Sequence, residues 1–198
     1  MRALVTGGGG FLGEAVVRLL RQRGDEVTFL ARGQYPALEE ETGAVGVQAD
    51  LRDADAVAVA VHGMDVIFHV ASMTGFWERP GAGVYRSVNV DGTRNLLTAA
   101  LEAGVPRLVY TSTPSVVGYA SDVENGAQDL PYAAVHESEY PRTKAEAEQM
   151  VLATNGGGLA TVALRPHLIF GPGDNHLLPR LVDRARGGKL PVVGDGST

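Results

Sequence analysis

The stretch Leu4-Val5-Thr6-Gly7-Gly8-Gly9-Gly10-Phe11-Leu12-Gly13-Glu14-Ala15-Val16-Val17 decides the fold. Met1 to Thr6 reads as a short buried strand. Beyond the glycines, apolar residues at 12, 16, 19 and 20 line one helical face. A glycine run carries information only between such a strand and such a helix. Gly7 can take the tight turn, and Gly10 lets backbone approach a pyrophosphate. Gly13 lets the helix sit close to the strand, and the helix N-terminus offers N–H groups to the phosphates. The competing reading is a plain flexible turn.

Working outward, Glu26 to Ala31 reads as a second strand, reached through Gly24-Asp25. Strand signals follow at 44–49, 66–71, 107–112 and 159–164. Helical stretches lie between them at 53–62, 88–103 and 140–154, and a further helix is expected at 177–186. Strands alternating with helices predict an α/β fold with a doubly wound parallel sheet. Leu190 to Val193 is a candidate last strand, and Glu39-Glu40-Glu41 reads as a solvated helix end.

Bulk properties narrow the function. The chain has 198 residues, 44% hydrophobic and 20% charged, with a formal net charge of -6. That suits one soluble domain with a real core. No basic stripe stands out, so nucleic acid is not expected as a partner. Cysteine is absent, which excludes disulfides, thiolate metal sites and a cysteine nucleophile. No metal is expected. No signal peptide is read before the first strand, and no apolar run reaches the ~20 residues that span a bilayer. A cytoplasmic location is the expectation.

Ligand-facing positions lie at the strand ends. At the second, binders of the unphosphorylated cofactor usually place a carboxylate on the ribose 2′-OH. Ala31-Arg32 stands here instead. A cation there favours a 2′-phosphate, hence NADP over NAD; the alternative is a solvated turn Arg. Asp50-Leu51 is placed for the adenine edge, although Asp50 could equally be a turn or helix-cap residue. His69 is read as a strand-end histidine rather than a proton carrier. The Phe76-Trp77 loop either walls an apolar substrate or packs on its own aromatics.

Pro141 is acceptable only in a first helical turn, so Tyr140 opens a helix. The i, i+4 spacing puts Lys144 on the same face. A phenol near pKa ~10 is a poor acid at neutral pH. A neighbouring ammonium lowers it by favouring the phenolate. Lys144 can do this for Tyr140 and hold the nicotinamide ribose. A Thr113 hydroxyl can hold a carbonyl oxygen, to which Tyr140 donates a proton as hydride arrives at carbon.

Thr6 to Gly13, Tyr110-Thr111-Ser112-Thr113, Tyr140-Pro141-Arg142-Thr143-Lys144 and Leu164-Arg165-Pro166 together resemble the extended short-chain dehydrogenase/reductase (NAD(P)-dependent epimerase/dehydratase) family. Asn89-Val90-Asp91-Gly92-Thr93, Thr113 to Val117, Arg165 to Ile169 and Gly171 to His176 resemble its 3β-hydroxysteroid dehydrogenase branch. The resemblance implies a Rossmann domain over 1–165, with 166–198 the start of a substrate lobe mostly absent from this chain. It implies Tyr140 as acid/base, Lys144 as its partner and Thr113 as the carbonyl-binding hydroxyl, with Ser112 left open beside it. Asn89 would order water or contact substrate. Gly7, Gly10, Phe11, Leu12, Gly13, Arg32, Asp50, Leu51, Ala71, Lys144 and His167 fall on cofactor-contacting positions. The expected activity is NADP-dependent hydride transfer, with NAD the alternative. The substrate would carry a 3-oxo or 3-hydroxy group on a bulky apolar frame, a 2-alkyl-3-oxoalkanoate or a steroid. Competing readings are a nucleotide-sugar epimerase/dehydratase and a non-catalytic NADP-binding protein. A homodimer through residues 88–103 and 140–154 is the expected assembly.

Overall fold

The computed structural model describes residues 1–74, 83–118, 126–174 and 177–189. They fall into two compact units, Met1–His167 and Leu168–Thr198. The Phe76-Trp77 pair and the candidate strand at 190–193 lie outside the described residues.

Six strands form the first unit's sheet: β1 (Arg2–Thr6), β2 (Glu26–Ala31), β3 (Val45–Gln48), β4 (Val66–His69), β5 (Arg107–Thr111) and β6 (Ala160–Leu164). Their order is β3-β2-β1-β4-β5-β6, and every pair is parallel. This is the doubly wound, Rossmann-like sheet predicted from the alternation.

The helices are α1 (Phe11–Gln22), α2 (Pro36–Thr42), α3 (Ala54–Val61), α4 (Val84–Arg86), α5 (Gly92–Glu102) and α6 (Glu139–Ala153). In the second unit, α7 spans Leu178–Arg186. The acidic run at 39–41 belongs to α2, which Pro36 opens and whose Leu38 is buried. The helix expected to begin at 88 starts earlier, at Val84, and passes through a π turn at Ser87–Asp91.

Side-chain alternation along the strands sorts the core into two layers. On β1, Ala3 and Val5 join Val17, Leu20 and Phe29 under α1 and α2. Leu4 faces the other way, into a cluster with Val57, Leu96, Leu108, Tyr110 and Val151 under α3, α5 and α6. Helices therefore cover both faces. The strand order reverses between β1 and β4, and such a switch point opens a crevice at the carboxyl ends of the strands.

Candidate active site

The crevice begins at the glycine turn. Gly7 has φ +73°, and a Cβ there would lie 2.8 Å from the Ala71 Cα. A Cβ at Gly13 would run into the Gly7 carbonyl oxygen. Gly10 caps α1 with extended backbone and no side-chain hydrogen bond. The N–H groups of Phe11, Leu12 and Gly13 thus begin a helix without a side-chain cap, the arrangement that suits a phosphate.

A buried polar chain fixes the floor between β1 and β4. The Thr93 hydroxyl donates to the Asn89 carbonyl at 2.6 Å, so its oxygen accepts from His69 Nε2, 2.9 Å away. The single imidazole proton is then on Nε2, and Nδ1 accepts from the Thr6 hydroxyl at 2.7 Å. Thr6 Oγ1 in turn accepts the N–H groups of Val70 and Ala71. Burial, helped by the Lys144 charge, holds His69 down to about 3. It is a neutral structural imidazole, as its place in an apolar run suggests.

Asn89 is 2% exposed, inside the π turn. Its Oδ1 accepts from Met73 N at 2.7 Å and Ser72 Oγ at 3.1 Å. Its Nδ2 donates to Met73 O and Thr143 Oγ1, both at 3.1 Å. Both amide protons and two acceptor directions are occupied. Asn89 here pins the chain after β4 to the first turn of α6, and this arrangement leaves its amide no donor for water or substrate.

Tyr140 sits in the first turn of α6, with Ser138 as N-cap and Pro141 next. Thr143 Oγ1 donates back to the Glu139 and Tyr140 carbonyls, which steadies that turn. One turn on, Lys144 is 2% exposed; its Nζ donates to Thr111 O at 2.7 Å and lies 4.1 Å from the Tyr110 ring centroid. Burial lowers Lys144 to about 7, against a raising influence from Glu148. The ammonium is thereby tied to the carboxyl end of β5, where the hydroxyl residues begin.

Of those, Ser112 is buried and its hydroxyl bonds the Glu148 carboxylate. Thr113 is less buried; it caps the short 3₁₀ turn Pro114–Val117 and its hydroxyl lies 2.8 Å from that of Ser115. The Ser112 hydroxyl is thus committed inward, and that of Thr113 is the less buried of the two.

Beyond β2, Arg32 is exposed, with its carbonyl accepting from Gln48 Nε2 at 3.0 Å. Asp50 closes a turn: its carboxylate accepts from Arg52 N at 2.9 Å and from both arms of the Arg52 guanidinium. The cap of α3 is Asp53 instead, which accepts from Ala56 N. Leu51 is buried, and its carbonyl accepts from Asn95. His167 is exposed at the end of the first unit.

Sequence reading missed Glu148. It is 1% exposed and bonds Ser112, Tyr132 and Arg165 together. Its signal was the third step of the Tyr140, Lys144, Glu148 spacing.

Residues 4–198 match the model of the 3-beta hydroxysteroid dehydrogenase/isomerase family. A 2-alkyl-3-oxoalkanoate reductase of Stenotrophomonas maltophilia (strain K279a) is 50% identical over 100% of this chain and 59% of its own length. One from Shewanella oneidensis is 44% identical over 97% of this chain and 51% of its own. Among solved structures, a dTDP-glucose 4,6-dehydratase of Streptomyces venezuelae with NAD bound superposes with TM-score 0.84. It is 32% identical, covering 100% of this chain and 66% of that one. The chain thus spans only about half to three fifths of the length of these two curated relatives.

Proposed function

This chain belongs to the 3-beta hydroxysteroid dehydrogenase/isomerase family, and from that premise we propose that it carries the catalytic half of an NADP-dependent oxidoreductase. The reaction interconverts a 3-oxo and a 3-hydroxy group on a bulky apolar substrate. A 2-alkyl-3-oxoalkanoate is the favoured class and a steroid the second. The observation that carries the reading is the α6 pair: Tyr140 in the first helical turn and Lys144 buried one turn on, its ammonium anchored at the end of β5 beside Thr113.

The residues fit a nicotinamide dinucleotide. The turn admits no Cβ at Gly7 or Gly13 without displacing backbone, and α1 begins without a side-chain cap. Gly7, Gly10, Phe11, Leu12 and Gly13 would hold the pyrophosphate. Leu51 and Ala71 would line the adenosine and nicotinamide ends, with His167 at the rim. Arg32 would pair with a 2′-phosphate, no carboxylate standing at that strand end to select an unphosphorylated ribose. A nicotinamide ring held there would supply or accept the hydride. Thr113 donates to the substrate carbonyl oxygen and holds it. Tyr140 gives that oxygen its proton, and Lys144 lowers the cost of the phenolate left behind. In the oxidative direction Tyr140 takes the proton back.

We read residues 166–198 as the start of a substrate lobe and the outer faces of α5 and α6 as a homodimer contact. Among the described residues no helix is long and apolar enough to cross a membrane. The nucleotide-sugar reading has one observation in its favour, the NAD-bound dehydratase with the same fold. A steady-state panel separates the two. With NADPH and NADH offered against a 2-alkyl-3-oxoalkanoate, a 3-oxosteroid and a dTDP-hexose, the account predicts NADPH oxidation with one of the first two. Conversion of the sugar nucleotide without net cofactor turnover would overturn it.

A further inference from the structure

Lys144 sits in a pocket from which water is nearly excluded, and a buried ammonium needs a partner of opposite sign. Beside it lie His69 from β4 and Tyr110 from β5, and Tyr140 and Glu148 stand one turn away on either side along its own helix. His69 is neutral and the two tyrosines are phenols. Glu148 is the carboxylate of that set. It lies one turn beyond Lys144, where i, i+4 side chains are neighbours, and it is 1% exposed.

Glu148 also gathers three other segments. Ser112 donates to it from the end of β5. Tyr132 O–H donates at 2.9 Å from the segment before α6. Arg165, just beyond β6, donates at 2.6 and 3.1 Å. Ser112 separates Thr111, whose carbonyl holds Lys144, from Thr113, whose hydroxyl faces the substrate in the reading above. The Arg165 side chain is 21% exposed and pairs with a carboxylate that is 1% exposed, so the guanidinium reaches solvent while the carboxylate does not.

We propose that Glu148 is the positioning residue of the Tyr140–Lys144 pair: its carboxylate is the counter-charge of the buried ammonium and the knot that holds the ends of β5 and β6 against α6. It acts through Lys144 and Ser112 rather than on substrate. The raising influence of Glu148 on a Lys144 otherwise lowered by burial agrees with this arrangement. The catalytic consequence rests on the oxidoreductase reading; the counter-charge itself does not.

The test is an NMR titration of the Lys144 Nζ in ¹⁵N-lysine-labelled protein, which needs no turnover. Glu148→Gln removes the charge and keeps the shape; Glu148→Asp keeps the charge and shortens the reach. The Gln variant is expected to lower the ammonium's proton affinity about tenfold, one pH unit at the midpoint. The Asp variant should stay within about threefold of the parent. A Glu148→Gln/Arg165→Met double variant, which leaves no unpaired guanidinium, should fall like the Gln variant and serves if the single one does not fold. An unchanged midpoint in the Gln or double variant overturns the proposal. In an active enzyme the alkaline limb of kcat for reduction should move down with that midpoint in the Gln variant. A purely structural loss would lower kcat at every pH without moving the limb.

Discussion

At the scale of single residues the account separates chemistry from holding. Tyr140→Phe keeps the ring and removes the proton, so kcat should fall about 10²–10⁴-fold. Cofactor affinity, measured by fluorescence titration, should stay within about threefold, because the glycine turn and Arg32 are untouched. Loss of cofactor binding with the chemistry retained would reverse the roles. Arg32→Ser tests the other end. A charge-assisted bond to phosphate is worth about 1.5–3 kcal/mol, so the affinity for NADP should drop about ten- to a hundredfold and that for NAD should hold. The first of these residues is proposed from spacing and a proline, the second from a missing carboxylate. The saturation of Asn89 was not legible. It depends on Met73 and Thr143, residues 16 and 54 positions away, and on a π turn that no local pattern announces.

Among elements, α1 and α6 carry the proposed site. Gly13→Ala places a methyl group against the Gly7 carbonyl, so helix and turn must separate. Overpacking of that kind costs about 1–3 kcal/mol. Thermal unfolding should show a lower Tm, and dinucleotide binding should disappear even where the variant is folded. The strand ends followed from apolar runs to within about two residues, because a parallel sheet buried on both faces must write its core into continuous apolar stretches, whereas the strand order came only with the structure. The start of the helix at 84 and the helical Pro36–Thr42 segment were harder to read. The first begins beside residues rich in glycine, and the second is short and acidic, with Leu38 as its buried anchor.

The whole molecule should be sensitive to acid for a reason that lies beneath the crevice. His69 is held neutral down to about 3 in the fold and takes a proton near 6.5 when unfolded. Between those values the unfolded chain binds the extra proton. Stability present above pH 6.5 is therefore lost as pH falls toward 3, at up to about 1.4 kcal/mol per unit. The depressed Lys144 acts in the same sense at higher pH: from about 7 to 10.5 the unfolded chain again holds more protons, so stability rises with pH there. Urea midpoints measured from pH 4 to 6 should climb steeply for the parent and less steeply for His69→Gln; parallel slopes would remove His69 as the cause.

The most direct trial of the central claim follows a label. The protein is given NADPH carrying deuterium at C4 of the nicotinamide and a 2-alkyl-3-oxoalkanoate, and the product is read by mass spectrometry and NMR. The account predicts deuterium at C3 of the alcohol with the parent protein and loss of that product in Tyr140→Phe. Equal labelled product from both proteins, or bound cofactor with no transfer to any 3-oxo substrate in the parent, would contradict it.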